Sequence, residues 1–262
     1  MERLTFRALE LVGLLVAVAF GTGFSGSIAK ETAPRGDPCE PGPARPDVTA
    51  IGNMRLRDLY CTAVRSIPRD VRVIIEARAT REDEVKWSSA DTDFALQAAA
   101  SALDATPPDW RSYRCCLFIA RTGMQRDPRW TEIYRKALAL PRNEKIAEDH
   151  AFGLRETLYM LGQLNSAKAA AILLEATTAD FWGAPFVGQT LGAHAKESLV
   201  HLRSVALGAL GLCDASIALP ILEKLAHQYP NTTPVSKPSS EYEFEDGAGY
   251  QIQSLIATVA PR

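Results

Sequence analysis

The chain has 262 residues, of which 47% are hydrophobic and 23% charged, a balance typical of a folded globular protein and unlike that of a disordered one. Its formal net charge is −2, from 29 basic and 31 acidic residues, so the overall charge argues against a nucleic-acid binder. These values allow one sizeable hydrophobic core and leave the function open.

Residues 1–29 have the pattern of an export sequence. Arg3 and Arg7 precede an uncharged apolar run, Leu11–Ala29, with a possible cleavage site before Lys30. The run fits a cleaved signal peptide, a retained membrane anchor or an N-terminal core helix. We expect an exported protein, periplasmic or extracellular, that is either released or held by this segment.

Residues 30–50 contain five prolines and two glycines and are predicted to form a linker, so the folded domain is expected at 51–262. Apolar residues at helical spacing predict helices over 53–65 and 89–104, while 69–84 fits a helix or a strand. Asp109 is placed to cap the helix that follows it. Residues 229–249 are predicted to be a loop, and 249–262 a helix or strand that covers the end of the domain.

The clearest pattern is the segment 202–226, which predicts two apolar helices joined by a tight turn. Its apolar residues recur at spacings of three and four, and small residues in the first helix permit close packing. Gly211 is predicted to end the first helix in the left-handed conformation, and Asp214 to cap the second helix with its side chain.

Weaker copies of this hairpin precede it. In the copy at 154–176, Arg155 opens the first helix and Ser166 caps the second, and in the copy at 114–140 Asp127 is the cap. The turn glycines of the three copies lie about 40–50 residues apart, a period typical of stacked helical hairpins. We therefore predict an all-α fold, a short α-solenoid of roughly four hairpins with a right-handed superhelix.

The segment 202–226, and less closely 154–176, resembles the HEAT-like repeats of the bilin-lyase and deoxyhypusine-hydroxylase type. The shared pattern is an arginine early in the first helix, Ala-Leu-Gly at its end, an aspartate before the second helix and Ala-Leu-Pro within it. The resemblance implies a solenoid that acts as a scaffold and binds partners. The iron-binding members of that group carry paired His-Glu dipeptides, and this sequence has none.

Of the five cysteines, Cys39 and Cys61 are predicted to form a disulfide, which export would permit. Cys116 and Cys213 fit the apolar faces of their helices as small core residues. The sequence contains no Cys-x-x-Cys pair, so we predict neither a zinc ribbon nor a thioredoxin-type site.

His194, Glu197 and His201 share one helical stripe at positions i, i+3 and i+7. Two imidazoles and a carboxylate are candidate ligands for a transition metal, although the spacing is looser than in His-Glu-x-x-His sites. A solvated polar face is the other interpretation. The sequence has no Ser-His-Asp order, Gly-x-Ser-x-Gly elbow or phosphate-binding glycine loop, so we predict no catalytic residues and no cofactor.

The insertion at 180–191 contains Phe181, Trp182 and Phe186, which are candidates for binding a partner if they are exposed. Folded back, they would instead fill the gap between hairpins. The predicted function is a non-enzymatic scaffold of the cell envelope that binds another protein. The alternatives are a metal-dependent enzyme that uses the histidine stripe and, by analogy of fold only, a lyase-like protein that handles a chromophore.

Overall fold

The computed structural model describes residue 39 and the ranges 56–65, 87–121, 123–124, 126–140, 148–183, 193–234 and 243–260. The chain divides into two compact units, Met1–Glu40 and Pro41–Arg262, and every described helix lies in the second. The predictions for the signal or anchor segment, for most of the linker and for 69–84 fall outside the described residues.

The described residues form ten helices and no strand, which confirms the all-α prediction for this part of the chain. The helices are α1 (Leu56–Arg65), α2 (Ser89–Asp104), α3 (Trp110–Ala120), α4 (Trp130–Ala139), α5 (Glu148–Gln163), α6 (Ala167–Ala176), α7 (Ala179–Gly183), α8 (Ala193–Leu210), α9 (Ala215–Gln228) and α10 (Phe244–Val259). Within the ranges that the structure describes, no helix combines the length and apolar character required to cross a bilayer.

Side-chain caps fix where several helices begin. Ser88 and Asp91 form a reciprocal capping box at the start of α2. Asp109 accepts a hydrogen bond from the Ser112 amide at 3.0 Å, and Ser166 accepts one from the Ala169 amide at 3.2 Å. The predicted caps of α3 and α6 are therefore confirmed.

Other predicted boundaries are wrong. Helix α4 begins at Trp130 with Arg129 at its N-cap, so Asp127 is not the N-cap residue; its carboxylate accepts hydrogen bonds from the backbone and guanidinium of Arg129 in the turn before the helix. Helix α5 begins at Glu148, which places Arg155 in the middle of the helix and not at its start. Helix α10 begins at Phe244, inside the predicted loop 229–249.

The helices contact one another in two series. The first row is α1, α3, α5, α8 and α10, in which each helix packs on the next, and the second row is α2, α4, α6 and α9. Contacts between the rows join α2 to α3, α4 to α5, α5 to α6, α6 to α8 and α9 to α10. The segments 154–176 and 202–226, on which the repeat prediction depends, lie directly against each other through α5, α6, α8 and α9.

The closest helix pairs differ from the predicted hairpins. Helix α9 packs closely on α10 and makes few close contacts with α8, its predicted partner across the Gly211 turn. Small residues explain the preference, because α10 carries Gly247, Ala248 and Gly249 on its buried side. A Cβ atom at Gly249 would overlap the carbonyl oxygens of Asn231 and Tyr229, just beyond the end of α9. These glycines, which suggest a loop in sequence, allow the two backbones to approach.

The turn before α9 also differs from its prediction. Helix α8 ends directly before Gly211, as predicted, but Gly211 does not have a positive φ. A Cβ atom there would lie 2.6 Å from Leu255 Cδ2, so a larger residue would require the Leu255 side chain to move. The left-handed residue in the corresponding turn before α6 is Asn165, with φ 51°. Asn165 accepts a hydrogen bond from the Asp214 amide at 2.7 Å and donates one to the Asp214 carboxylate. Asp214 therefore joins two neighbouring turns and does not cap α9 with its side chain.

Two polar contacts are built into the core of the first row. The Thr157 hydroxyl donates to the Gly153 carbonyl at 2.7 Å, which leaves its oxygen to accept the Tyr113 hydroxyl at 2.8 Å. Arg203 has a side chain only 8% exposed, and it donates to the Thr177 carbonyl at 2.8 Å and to Glu245 at 2.7 Å. Arg203 therefore joins the end of α6, the middle of α8 and the start of α10.

Candidate functional site

The three aromatic residues that were predicted to bind a partner differ in their positions in the structure. Trp182 is fully buried, and its indole N–H donates to the Ala176 carbonyl at 2.6 Å. It therefore fills the junction between α6 and α8 and does not lie on the surface, where a partner could contact it. Phe181 is partly buried, edge-on to Trp182 at 5.0 Å between ring centroids, and Phe186 lies outside the described residues.

The predicted metal stripe lies on α8. The side chain of His201 is described, whereas those of His194 and Glu197 are outside the description. Burial, and then the positive charge of Arg155, lower the pKa of His201. An arginine this close also opposes a divalent cation at the imidazole. Among the side chains that the structure describes, no group of three potential metal ligands converges.

The cysteines fall into two classes. Cys39 and Cys61 are disulfide-bonded, while Cys115, Cys116 and Cys213 are buried and form no disulfide. Burial raises the pKa of Cys213 to about 11, and the nearby carboxylate of Asp214 adds to this rise. Burial also raises the pKa of Cys116, so these two thiols resist ionisation and are poor nucleophiles near neutral pH.

A group of arginine and aromatic side chains lies together on the first row. We call this group the arginine face, and it consists of Arg114 of α3, Arg121 directly after α3, Phe152, Arg155, Glu156 and Tyr159 of α5, and His201 of α8. The α5 residues fall at i, i+3, i+4 and i+7 and so share one stripe. The opposite side of α5, with Leu154, Leu158 and Leu161, is buried in the core. This amphipathic pattern turns the stripe outward between α3 and α8.

Phe152 is the centre of the arginine face. The guanidinium carbon of Arg114 lies 3.7 Å from the centroid of the Phe152 ring, and that of Arg155 lies 5.1 Å from it. Both distances are within the range of cation–π attraction. The same ring contacts Phe118 at 5.9 Å between centroids, so it is supported from the core below. One aromatic ring therefore holds two cations at the boundary of α3 and α5.

The charges of the arginine face are mainly positive. Arg121 binds Glu156 at 3.0 Å, and Glu156 is the only acid in the group. No carboxylate pairs with Arg155 in the part of the chain that the structure describes. Burial, followed by the charge of Glu156, raises the pKa of Tyr159, so Tyr159 and His201 are both neutral at pH 7. Arg155 thus places a guanidinium beside an uncharged phenol and an uncharged imidazole.

The second row has a different electrostatic character. Three of its surface cations bind carboxylates contributed by the neighbouring helix of the same row, in the pairs Arg129–Asp93, Lys136–Asp104 and Lys168–Glu132. All of these side chains are well exposed, so each pair adds little stability. Their effect is to neutralise the surface of the second row locally.

No family model, curated protein or solved structure matches this chain. The arginine face was missed by the sequence prediction, which placed Arg155 at a helix start and did not consider Phe152. One signal was available, because Phe152, Arg155, Glu156 and Tyr159 already share a helical stripe in the sequence. The contribution of Arg114 from another helix depends on tertiary packing and has no such local signal.

Proposed function

We propose that the chain is a non-enzymatic scaffold of the cell envelope, a short right-handed solenoid of HEAT-like hairpins that binds another protein. The arginine face is the observation that carries this proposal. It places partly buried arginine and aromatic side chains of three helices on one surface. Arginine, tyrosine and phenylalanine are enriched at protein interfaces, where they supply both apolar area and directed hydrogen bonds.

The order of helix contacts supports the solenoid. Helices that are successive within each row pack on one another, as expected when hairpins stack along one direction and each covers its neighbour. The reciprocal bonds between Asn165 and Asp214 join equivalent turns of two units. Such contacts between neighbouring turns hold the units in one register.

The state of the cysteines supports export. Disulfides persist in oxidising compartments and are rare in the cytosol, and both Cys39 and Cys61 are disulfide-bonded. The basic residues followed by an apolar run at the N-terminus are the second argument, since this order is typical of secretory signals and anchors. We therefore place the domain outside the cytoplasm, free or anchored by its first segment.

Site-specific photo-crosslinking tests the proposed function. The photoreactive amino acid p-benzoyl-phenylalanine replaces Tyr159 on the arginine face or Ala171, an exposed residue of α6 on the second row. Each variant is irradiated in the envelope fraction of the source cells. We expect a discrete adduct with one protein from position 159 and none from position 171. Absence of adducts at both positions, or the same adducts at both, would contradict a specific protein-binding surface on the first row.

A further inference from the structure

Helix α4 carries two aromatic side chains whose polar atoms lie inside the core. Trp130 and Tyr134 are one turn apart and fully buried, and their rings are stacked with 5.5 Å between centroids and 20° between planes. The indole N–H of Trp130 is a donor, and the hydroxyl of Tyr134 can donate and accept. Neither polar atom has a hydrogen-bond partner among the side chains and backbone groups that the structure describes.

A buried polar atom without a partner destabilises a folded chain, because its bonds to water in the unfolded state are not replaced. Nearly all such atoms in native proteins therefore bind another protein group or ordered water. Two other buried aromatic residues of this chain show the first solution. Trp182 donates to the Ala176 carbonyl at 2.6 Å, and the Tyr113 hydroxyl is bonded to Thr157 at 2.8 Å. Trp130 and Tyr134 call for the second solution.

Other polar groups lie near the Tyr134 hydroxyl. Burial raises the pKa of Tyr134, and the Tyr113 phenol and then the Cys116 thiol add to this rise, so both side chains are close to it. The Thr157 hydroxyl gives its proton to the Gly153 carbonyl, so Tyr113 is the donor in the bond between Tyr113 and Thr157. The Tyr113 oxygen therefore keeps its capacity to accept a hydrogen bond from another group.

We infer that ordered water is bound inside the domain beside α4, where it hydrogen-bonds to the Trp130 indole N–H and to the Tyr134 hydroxyl. Water suits this position because it accepts the indole proton and also supplies protons, for which the Tyr113 oxygen is a nearby acceptor. An ion would be costly to bury among these uncharged groups. Globular proteins hold about one buried water per 27 residues, so internal water is expected in a domain of this size. The inference is independent of the proposed protein-binding function.

Tyr134→Phe in the full chain tests the inference, because it removes only the hydroxyl. If that hydroxyl is bonded to water, its loss should raise the equilibrium constant for unfolding about fivefold, the usual net effect of one hydrogen bond. A hydroxyl without any partner gives the opposite sign, since its removal ends a desolvation penalty. Tyr250→Phe is the matched control, because it removes the same atom from a side chain of α10 that is 50% exposed. Urea denaturation should show a change of less than about twofold for this control.

A high-resolution crystal structure of the full chain detects the water directly. We expect water oxygens about 2.6–3.2 Å from both Tyr134 Oη and Trp130 Nε1. An unchanged or lower unfolding constant for Tyr134→Phe, or an effect equal to that of Tyr250→Phe, would overturn the inference. So would a crystal structure in which either polar atom has no water within hydrogen-bond distance or is bonded directly to a protein group.

Discussion

The close approach of α5 and α8 gives the sharpest prediction about stability. Gly162, near the end of α5, faces the backbone of α8. A Cβ atom at Gly162 would overlap the Ala209 carbonyl oxygen and lie 3.1 Å from Leu212 Cβ. Gly208, near the end of α8, is in a similar helical position, but a Cβ atom there would meet only Gln251 Nε2 at 3.5 Å, an ordinary contact.

The two Gly→Ala substitutions should therefore have opposite effects. Alanine is favoured over glycine in a helix by up to about 1 kcal/mol, a gain available at both positions. At Gly162 the added methyl group meets backbone atoms, which cannot rotate away, and the resulting overpacking costs about 1–3 kcal/mol. We expect Gly162→Ala to lower the free energy of unfolding by about 1–2 kcal/mol. Gly208→Ala should raise it by about 0.5–1 kcal/mol.

Urea denaturation followed by circular dichroism at 222 nm and by tryptophan fluorescence measures both variants, and coincidence of the two signals tests two-state unfolding. In thermal unfolding, Gly162→Ala should lower the Tm by about 2–8 °C. If Gly162→Ala is as stable as the wild type while Gly208→Ala is stabilised, the α5–α8 backbones are farther apart than the structure has them. The packing of segment 154–176 on segment 202–226 would then be wrong.

Three further predictions concern buried groups. Arg203→Ala should lower the free energy of unfolding by about 2–4 kcal/mol, because it removes the donor to the buried Thr177 carbonyl and the contact between α8 and α10. A loss under about 1 kcal/mol in urea denaturation would show that Arg203 does not join these helices. Since burial lowers the pKa of His201, the unfolded chain takes up the proton on this imidazole at a higher pH than the folded chain does, beginning near the ordinary pKa of about 6.5. Stability should therefore fall as the pH is lowered from about 7.5 to 5, and His201→Gln should reduce this dependence in urea titrations at several pH values. Finally, burial raises the pKa of Cys213 to about 11, and Cys115 and Cys116 are buried as well. The unreduced native protein should therefore react slowly with dithionitrobenzoate and should expose three reactive thiols in urea. Peptide mapping should find Cys39 linked to Cys61, and any disulfide-linked peptide containing Cys213 would contradict this assignment.

Local signals in the sequence were enough to predict the helical class and several helix starts. Ser166 and Asp109 cap their helices with bonds that span three residues, so the relevant atoms are adjacent in the sequence. Helix α2 has the predicted bounds because its apolar period and the following prolines are equally local.

Glycine caused the main errors, because its role depends on what lies opposite it. Sequence rules treat glycine as a helix breaker, at a cost of about 1 kcal/mol in a helix interior. Gly249 lies inside α10 since it contacts the backbone beyond α9, and Gly211 lies against the Leu255 side chain and has no positive φ. The residues that these two glycines contact are distant from them in the sequence, so the role of each glycine follows only from the tertiary structure.

The candidate site was predicted poorly for a related reason. Phe181 and Trp182 are conspicuous in the sequence, yet a large aromatic residue gains most free energy by burial, and Trp182 is buried with its N–H bonded. Arg114 and Arg155 are inconspicuous, because single arginines are common on helices. Their association through the Phe152 ring requires α3 and α5 to lie side by side.

The two rows of helices use charged residues for different purposes. On the second row, Lys168 binds Glu132 of the preceding helix in the row, and such exposed pairs contribute little stability while cancelling each other's charge. On the first row, Arg155 lies beside Phe152 with no described carboxylate, so its charge is available to an incoming group. Pairing this charge with a surface carboxylate would add little stability. An Arg155→Gln variant should therefore unfold at nearly the same urea concentration as the wild type and give less of the cross-linked adduct at position 159, whereas a parallel loss of stability and adduct would show that Arg155 serves the fold.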